Sequence, residues 1–421
     1  MVEISASTLT LGLGELIRCK RKEKQMTLPQ LSDLSGTPEA TLSRIETGET
    51  RSPEFRTILV IASTLDIPID EITEFYIEAE CSSEALFTVL GEALPNSLPV
   101  PLIMKIATTF LAFNQRETSE ESVERLYNLA IETKEIPQKL ALFKVISEFS
   151  DDHGIRPTLA KALFQSYLIE RDDFTKLSKT YEPGKNIQYH AKFLSVDDQI
   201  TYYYKLGAHA YHLGKYEDCI ELCKEVITLD YSEGTLKAYA VQLTAFSYFF
   251  LDRYDLAEKY VNILKHFSSI PSIEEQVSFL TAKLDGKKGD IDLAIIQLEN
   301  RLDTAPHKVA VMFDLMELYL KQKDVQAIER LLLHEKDFMY STHPSIVSEY
   351  AFYYEKKSEY FLLTNEHNKA FECLLDSIIM FISVDRHHDI DRCIGIILSE
   401  AFRGVLHDAK LTQVLSYLTN K

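Results

Sequence analysis

Cysteine is scarce in this 421-residue chain, positive charge is outweighed by negative, and no run of 18 apolar residues occurs. Six cysteines scattered over that length (Cys19, Cys81, Cys219, Cys223, Cys373 and Cys393) suit free thiols in a reducing cytoplasm better than a disulfide framework. Without a long apolar run no membrane span is expected, and the opening MVEISASTLTLGLGEL lacks the basic start and apolar core of a secretion signal, so the expected location is cytoplasmic. Neither G-x-x-x-x-G-K-[ST] nor G-x-S-x-G is present, which leaves an ATPase or a serine hydrolase unsupported. Cys219 and Cys223 lie one helical turn apart near His209 and His212, but no second tight pair completes a metal site. His387-His388-Asp389 with Asp391 lacks matching ligands elsewhere and reads as a solvated helix end. No metal and no cofactor are expected, and the chain does not read as an enzyme.

What is present is organised around Met26 to Gly48, MTLPQLSDLSGTPEATLSRIETG. Thr27 can cap a first helix with Pro29 and Gln30 in its first turn, and Leu28, Leu31 and Leu34 are read on one face. Ser35-Gly36 supplies a turn in which glycine tolerates a left-handed backbone. Thr37 is placed as the cap of a second helix with Pro38 at its first position. Leu42 and Ile45 then face inward, while Glu39, Ala40, Thr41, Ser43 and Arg44 are left outside and Gly48 ends the helix. A buried stripe opposite a small polar face is what the major groove accepts. Flanking helices are expected over Leu13 to Lys24, after a cap at Ser52-Pro53, and over Ile67 to Ile72.

The string T-x-x-x-L-S-x-x-S-G-T-P-x-A-T-L-S-R-I-E-x-G, with its flanks from about Leu13 to Ile72, resembles the Cro/lambda-repressor type helix-turn-helix family. The resemblance implies double-stranded DNA as partner. Glu39, Ala40, Thr41 and Arg44 would then face base edges, with Arg44 on guanine and Glu39 accepting from cytosine. Ser43, Arg51 and Ser52 would contact phosphate, and Thr27 and Thr37 complete the DNA-facing set. Where the family often carries a DNA-touching Gln after the capping Thr, this chain has Leu28, so the resemblance does not carry that clamp over.

Charge bears on assembly. Residues 1–75 hold 8 Lys/Arg and 12 Asp/Glu, a balance of −4, which leaves −15 of the total −19 on the remainder. Such an acidic body repels nucleic acid, and a near-neutral module gains little from counterion release even with Arg18, Lys20, Arg21, Lys22 and Lys24 clustered in it. A homodimer presenting two recognition helices to a two-fold site is therefore expected.

At this length more than one domain is expected. Tyr76 to Leu94 reads as one connecting helix, ended by Pro95-Asn96-Ser97-Leu98-Pro99-Val100-Pro101, the only proline-dense stretch. The expected division is a DNA-binding domain over 1–75, a linker helix and proline-rich hinge over 76–101, and a repeat domain over 102–421. From Leu102 on, no strand pattern stands out. Helical segments recur with anchors at Cys219, Ala257, Ala294, Ile328 and Ala370, spaced 38, 37, 34 and 42 residues apart, and two degenerate repeats are read upstream. The pattern resembles tetratricopeptide repeats, although their tryptophan position is empty because the chain has no Trp.

The fold expected is thus all-α, a helix-turn-helix bundle followed by a tetratricopeptide-like right-handed solenoid. Repeat register places Tyr204, Ala208, Tyr211, Gln242, Phe246, Phe279, Lys283, Asp314, Glu317 and Glu355 on the inner wall, where amide and aromatic side chains suit an extended peptide. The two modules together resemble the peptide-pheromone receptors around PlcR, NprR and PrgX. That resemblance implies a transcription regulator whose DNA affinity is set by a short signalling peptide. The alternative is a regulator whose repeats bind a protein such as a response regulator, with or without phosphatase activity. Helices from Phe371 to Leu418, rich in residues such as Ile378, Ile379, Phe381, Ile396, Ile397 and Leu398, are the expected dimer surface.

Overall fold

The structure, a computed structural model, describes residues 12–50, 53–79, 82–95, 98–113, 118–232, 234–270, 272–305, 307–339 and 341–402. Among these there are helices and turns but no strand, and the chain separates into two compact units, Met1–Ile169 and Glu170–Lys421.

The first unit opens with five helices: α1 (Leu13–Glu23), α2 (Leu28–Ser35), α3 (Glu39–Glu46), α4 (Phe55–Thr64) and α5 (Ile69–Ala79). Thr27 starts α2 through a reciprocal cap, its backbone N–H donating to Gln30 Oε1 at 2.8 Å while the Gln30 N–H donates to Thr27 Oγ1 at 3.3 Å. Gly36 ends it with φ 68°. Leu31, Leu42, Ile45, Ile58, Ile61 and Leu65 are almost completely buried. Leu34 is not on that face; it is 64% exposed, because six residues along a helix is well short of two full turns. α1 crosses the end of α3 so closely that a Cβ on Gly14 would lie 2.1 Å from the Ile45 carbonyl oxygen. The expected single helix from Tyr76 to Leu94 is instead the end of α5 and a separate α6 (Ser83–Ala93), which Ser82 caps by accepting from the Ala85 N–H at 3.3 Å.

Beyond α6 come α7 (Val100–Ala112), α8 (Ser119–Glu132), α9 (Ile136–Asp152) and α10 (Arg156–Glu170). Pro99 and Pro101 sit at the start of α7, where a missing N–H costs nothing. One buried cluster runs from Leu13 to Ala162, past the proline-dense stretch, and Leu98 within that stretch is 2% exposed. The prolines thus turn the chain inside one core, and the division between compact units falls at Ile169/Glu170 rather than in the expected hinge.

The second unit begins with α11 (Leu177–Asn186) and continues as five helix pairs. These are α12 (Val196–His212) with α13 (Tyr216–Leu229), α14 (Thr235–Phe250) with α15 (Tyr254–Leu264), α16 (Ile273–Lys288) with α17 (Ile291–Leu302), α18 (Lys308–Gln322) with α19 (Val325–Leu332), and α20 (Pro344–Leu363) with α21 (His367–Ser383); α22 (His387–Phe402) follows. Within each pair the first helix ends on a left-handed residue, in turn Gly214, Asp252, Gly289, Lys323 and Asn365. The next N–H reaches back to the carbonyl five residues earlier at 2.8–3.0 Å, from Lys215, Arg253, Asp290, Asp324 and Glu366. This is the Schellman closure of a helix C-terminus. Each anchor (Cys219, Ala257, Ala294, Ile328 and Ala370) lies five residues after its left-handed residue and is at most 1% exposed. Small residues let helices meet within and between pairs: a Cβ on Gly207 would touch Cys223 Sγ of its own pair at 2.9 Å, and one on Gly286 would meet Ala294 of its own pair at 3.3 Å and Leu318 of the next at 3.0 Å.

The two ends of this array hold each other. The Ser178 N–H donates to Asp385 Oδ2 at 3.0 Å, Arg386 Nη2 donates to the Tyr216 hydroxyl at 3.0 Å, and Ser345 Oγ lies 3.1 Å from His212 Nδ1. Gly214 packs against the Arg386 guanidinium, which a Cβ there would meet at 3.0 Å. Among the proposed dimer residues, Ile378, Phe381 and Ile397 are core, while Ile379 and Leu398 are about 40% exposed; residues 403–421 lie outside the described part.

Candidate nucleic-acid interface and ligand cavity

On α3, Glu39, Ala40 and Arg44 are exposed, and Thr41 and Ser43 are half-buried beside them, opposite the buried Leu42 and Ile45. Arg44 Nε donates to the Ala40 carbonyl of its own helix at 3.3 Å, and among the described residues its guanidinium forms no ion pair with a carboxylate. Thr37 does not cap this helix. It is buried, its N–H donates to Ser35 Oγ at 3.2 Å, its carbonyl accepts from Ser32 Oγ at 2.8 Å, and Pro38 takes the cap position. The Ser35 and Ser32 hydroxyls thereby hold the turn, and α3 starts one residue later than expected. Thr27 remains exposed; Arg51 and Ser52 lie outside the described residues, and α4 begins at Phe55 after Glu54.

α3 is locked to α1 by a pair that reads from sequence as unrelated charges. Arg21 binds Glu46 through two parallel bonds, Nε to Oε1 at 2.6 Å and Nη2 to Oε2 at 2.7 Å, and donates from Nη1 to the Met26 carbonyl at 2.8 Å. The fork geometry fixes the rotation of α3 as well as its position, and the carboxylate holds the Arg21 guanidinium above its ordinary value. Arg21 is therefore withdrawn from the basic cluster, which keeps Arg18 and Lys22 exposed.

In the second unit the inner helices, with Tyr216, Arg301 and Arg386 from neighbouring elements, border a half-open cavity of about 300 Å³. Of the residues expected on the inner wall, Tyr211, Gln242, Phe246, Phe279 and Lys283 line it. The other five do not. Tyr204 lies tilted against Tyr239 with ring centroids 6.3 Å apart, and burial pushes its phenol up to about 12. Ala208 is half-buried and is not part of the cavity wall. Asp314 is buried in an ion pair with Lys283, Glu317 binds Lys287 at 2.6 Å, and Glu355 takes the Arg392 guanidinium at 2.8 and 2.6 Å. Lys283 Nζ also lies over the rings of Phe249, Phe279 and Phe313, at 5.0, 5.2 and 5.5 Å. Asp389, read as part of a solvated helix end, is buried and shared between Arg386 and Arg392. His209, beside Cys219 and Cys223, gives its Nε2–H to the Leu177 carbonyl at 2.8 Å, and burial pushes its imidazole down to about 4.

Residues 17–72 match a family model described as helix-turn-helix. They form a helix-turn-helix domain. The transcriptional repressor RghR of Bacillus subtilis is 40% identical to this chain over 59 residues, 14% of this chain and 44% of the repressor. Three solved structures are similar at low identity. A tetratricopeptide repeat protein from Parabacteroides merdae is 14% identical, covering 62% of this chain and 93% of its own, with TM-score 0.48. The structure of phAimR is 14% identical over 96% and 100% of the two chains, with TM-score 0.42. Bacillus thuringiensis PlcR, solved with the peptide PapR7 and DNA, is 15% identical over 91% and 99%, with TM-score 0.24. Beyond the helix-turn-helix domain, the reading of the chain rests on its own geometry.

Sequence reasoning missed Gln276, Arg301, Phe313, Glu349, Phe352 and Arg386 on the cavity wall. A fixed repeat register could not find them because the cavity crosses the inner helices obliquely. On α12 its lining lies two to three residues before Gly214; on α14, two to ten before Asp252; on α20, thirteen to twenty before Asn365. The extra length of α20, 20 residues against 15 for α18, was the available signal.

Proposed function

We propose that this protein is a sequence-specific DNA-binding transcriptional regulator whose operator affinity is controlled by a short signalling peptide held in the cavity of its second unit. The DNA half is supported by the helix-turn-helix domain and by an α3 face of small and hydrogen-bonding side chains with one guanidinium that, among the described residues, meets no carboxylate. The ligand half is carried by one observation: a cavity of about 300 Å³ that combines seven aromatic rings with the amides of Gln242 and Gln276. Apolar walls with a few convergent polar groups are the usual make-up of a ligand site. A cleft of this size takes a few side chains of a short segment rather than the face of a folded domain, so the peptide reading is preferred to a response regulator at this site. Binding as a homodimer in the cytoplasm completes the proposal, since a near-neutral module needs a second recognition helix for affinity.

A peptide switches such a protein only by binding one arrangement better than another. The bonds joining Ser178 to Asp385 and Tyr216 to Arg386 close the array around the cavity, and a peptide that fits only the closed or only the loosened array would bias them. The test measures operator affinity with and without peptides encoded by neighbouring small open reading frames, in wild type and in Gln242→Ala. A peptide that shifts operator affinity in wild type and loses its grip in Gln242→Ala is the expected result. Tight peptide binding with unmoved operator affinity overturns the switch.

A further inference from the structure

Lys283, Arg301, Glu349 and Arg386 are the Lys, Arg and carboxylate side chains on the cavity wall. The three cations are engaged by the protein. Lys283 is bonded to Asp314; Arg386 holds Asp389 at 2.5 Å and the Tyr216 hydroxyl; Arg301 donates to the Glu275 carbonyl at 3.0 Å with that residue's carboxylate 4.0 Å away. His212 is kept neutral, since burial, with His343 and nearby arginines, pushes its imidazole down to about 3. The Glu349 carboxylate forms no hydrogen bond or ion pair with any described residue. On the same wall the Nδ1 atom of His307 is buried without a partner. The wall thus presents one uncompensated acid, among aromatic rings that include Phe352 one turn along α20 and Phe313 across from it, whose centroids are 5.8 Å apart.

We propose that Glu349 receives a cationic group of the ligand, a guanidinium or ammonium carried by a side chain or by the peptide's N-terminus. This rests on the reading of the cavity as the peptide site. A half-buried carboxylate with no donor beside it, set among aromatic rings, is disfavoured as an anion, and desolvation with Asp314 nearby pushes Glu349 up to about 7 despite Lys283. Tyr211 on α12 and Tyr350 on α20 also lie close to it and stay protonated at that pH. An incoming cation supplies the missing donors, gains the faces of the rings, and drives the carboxyl to its charged form. An anionic group in the same place would meet an unsatisfied acid.

The experiment titrates full-length protein at pH 7 with synthetic hexapeptide pools by calorimetry in phosphate and in Tris. One set carries Arg or Lys at a single position, a second replaces it with citrulline or norleucine, and a third is acetylated at the N-terminus. Basic pools should bind and release about half a proton, because a carboxyl half-protonated at pH 7 becomes fully ionised. Glu349→Gln should lose that release and roughly tenfold or more of the affinity, while Glu349→Asp keeps the release. Loss on norleucine substitution assigns the cation to a side chain, and loss on acetylation assigns it to the N-terminus. If neutral pools bind as tightly as basic ones and Glu349→Gln changes nothing, the proposal falls and the cavity reading stands. If no pool binds to folded protein, both fall.

Discussion

Lys283 and Asp314 offer the sharpest way to separate what holds the second unit together from what the cavity does. The pair is 5–6% exposed on both sides, and Asp314 Oδ2 has no partner of its own. Burial pushes the Asp314 carboxyl up although Lys283 beside it pulls the other way, so desolvation already outweighs attraction. Lys283→Met would leave that acid buried with neither of its oxygens paired. Breaking a buried pair from one side costs about 3–5 kcal/mol, whereas replacing both partners by apolar groups is often neutral or stabilising. Lys283→Met is thus expected to destabilise by about 3–5 kcal/mol, and Lys283→Met/Asp314→Leu to recover most of that. Urea unfolding of the wild type, both single variants and the double gives the coupling directly, read as shifts in midpoint at constant slope. A harmless Lys283→Met, or a double variant no better than the sum of the singles, would refute the reasoning. The double variant also tests function cleanly, because a ligand that needs the Lys283 ammonium will not bind to it even though it is folded.

Gly14→Ala should destabilise the first unit by about 1–3 kcal/mol or more, since its Cβ would press on the Ile45 carbonyl; thermal melting and operator binding check it. Arg44→Ala should cost about 1–3 kcal/mol of operator affinity, concentrated at one base position, and a uniform loss across all positions would reassign it to phosphate. His209 sits at about 4 against an ordinary value of 6.5, so the unfolded chain takes up the proton first as pH falls. Stability should drop between pH 6.5 and 4 by up to about 1.4 kcal/mol per unit from this residue, with His212 acting in the same direction, and His209→Gln should flatten the profile. Lys323, left-handed without being glycine, should give about 1 kcal/mol of added stability as Lys323→Gly, measured by urea midpoint.

The repeat anchors were legible because a Schellman turn fixes them. Whatever the length of the outgoing helix, the chain must return to a buried apolar residue five positions after the left-handed one, and the ragged spacing reappears in Gly214, Asp252, Gly289, Lys323 and Asn365. The inner wall was half legible. Gln242, Phe246 and Phe279 sit where repeat register put them, but the cavity's oblique course brings the start of α20 forward and carries Glu355 past it to Arg392. Arg21 and Glu46 were hidden for another reason. They are 25 residues apart, and nothing in a periodicity distinguishes a paired arginine from its solvated neighbours Arg18 and Lys22. Thr37 misled because Ser and Thr next to Pro suit a cap equally well as a turn, and only the Ser35 and Ser32 hydroxyls decide between them.

In an open array each repeat touches only its neighbours, so evolution can add or delete units one at a time at a roughly constant increment of stability. Here the Arg386 guanidinium lies against the Gly214 turn and reaches Tyr216, while Asp385 holds the start of α11. One extra repeat would carry Asp385 and Arg386 a whole step away from those partners and strand a buried guanidinium. Repeat number in this unit is therefore quantised by its own ends. Length can drift only in the loops that lead from one pair to the next, so insertions and deletions among relatives that keep this closure should collect there and spare the turn-plus-five interval.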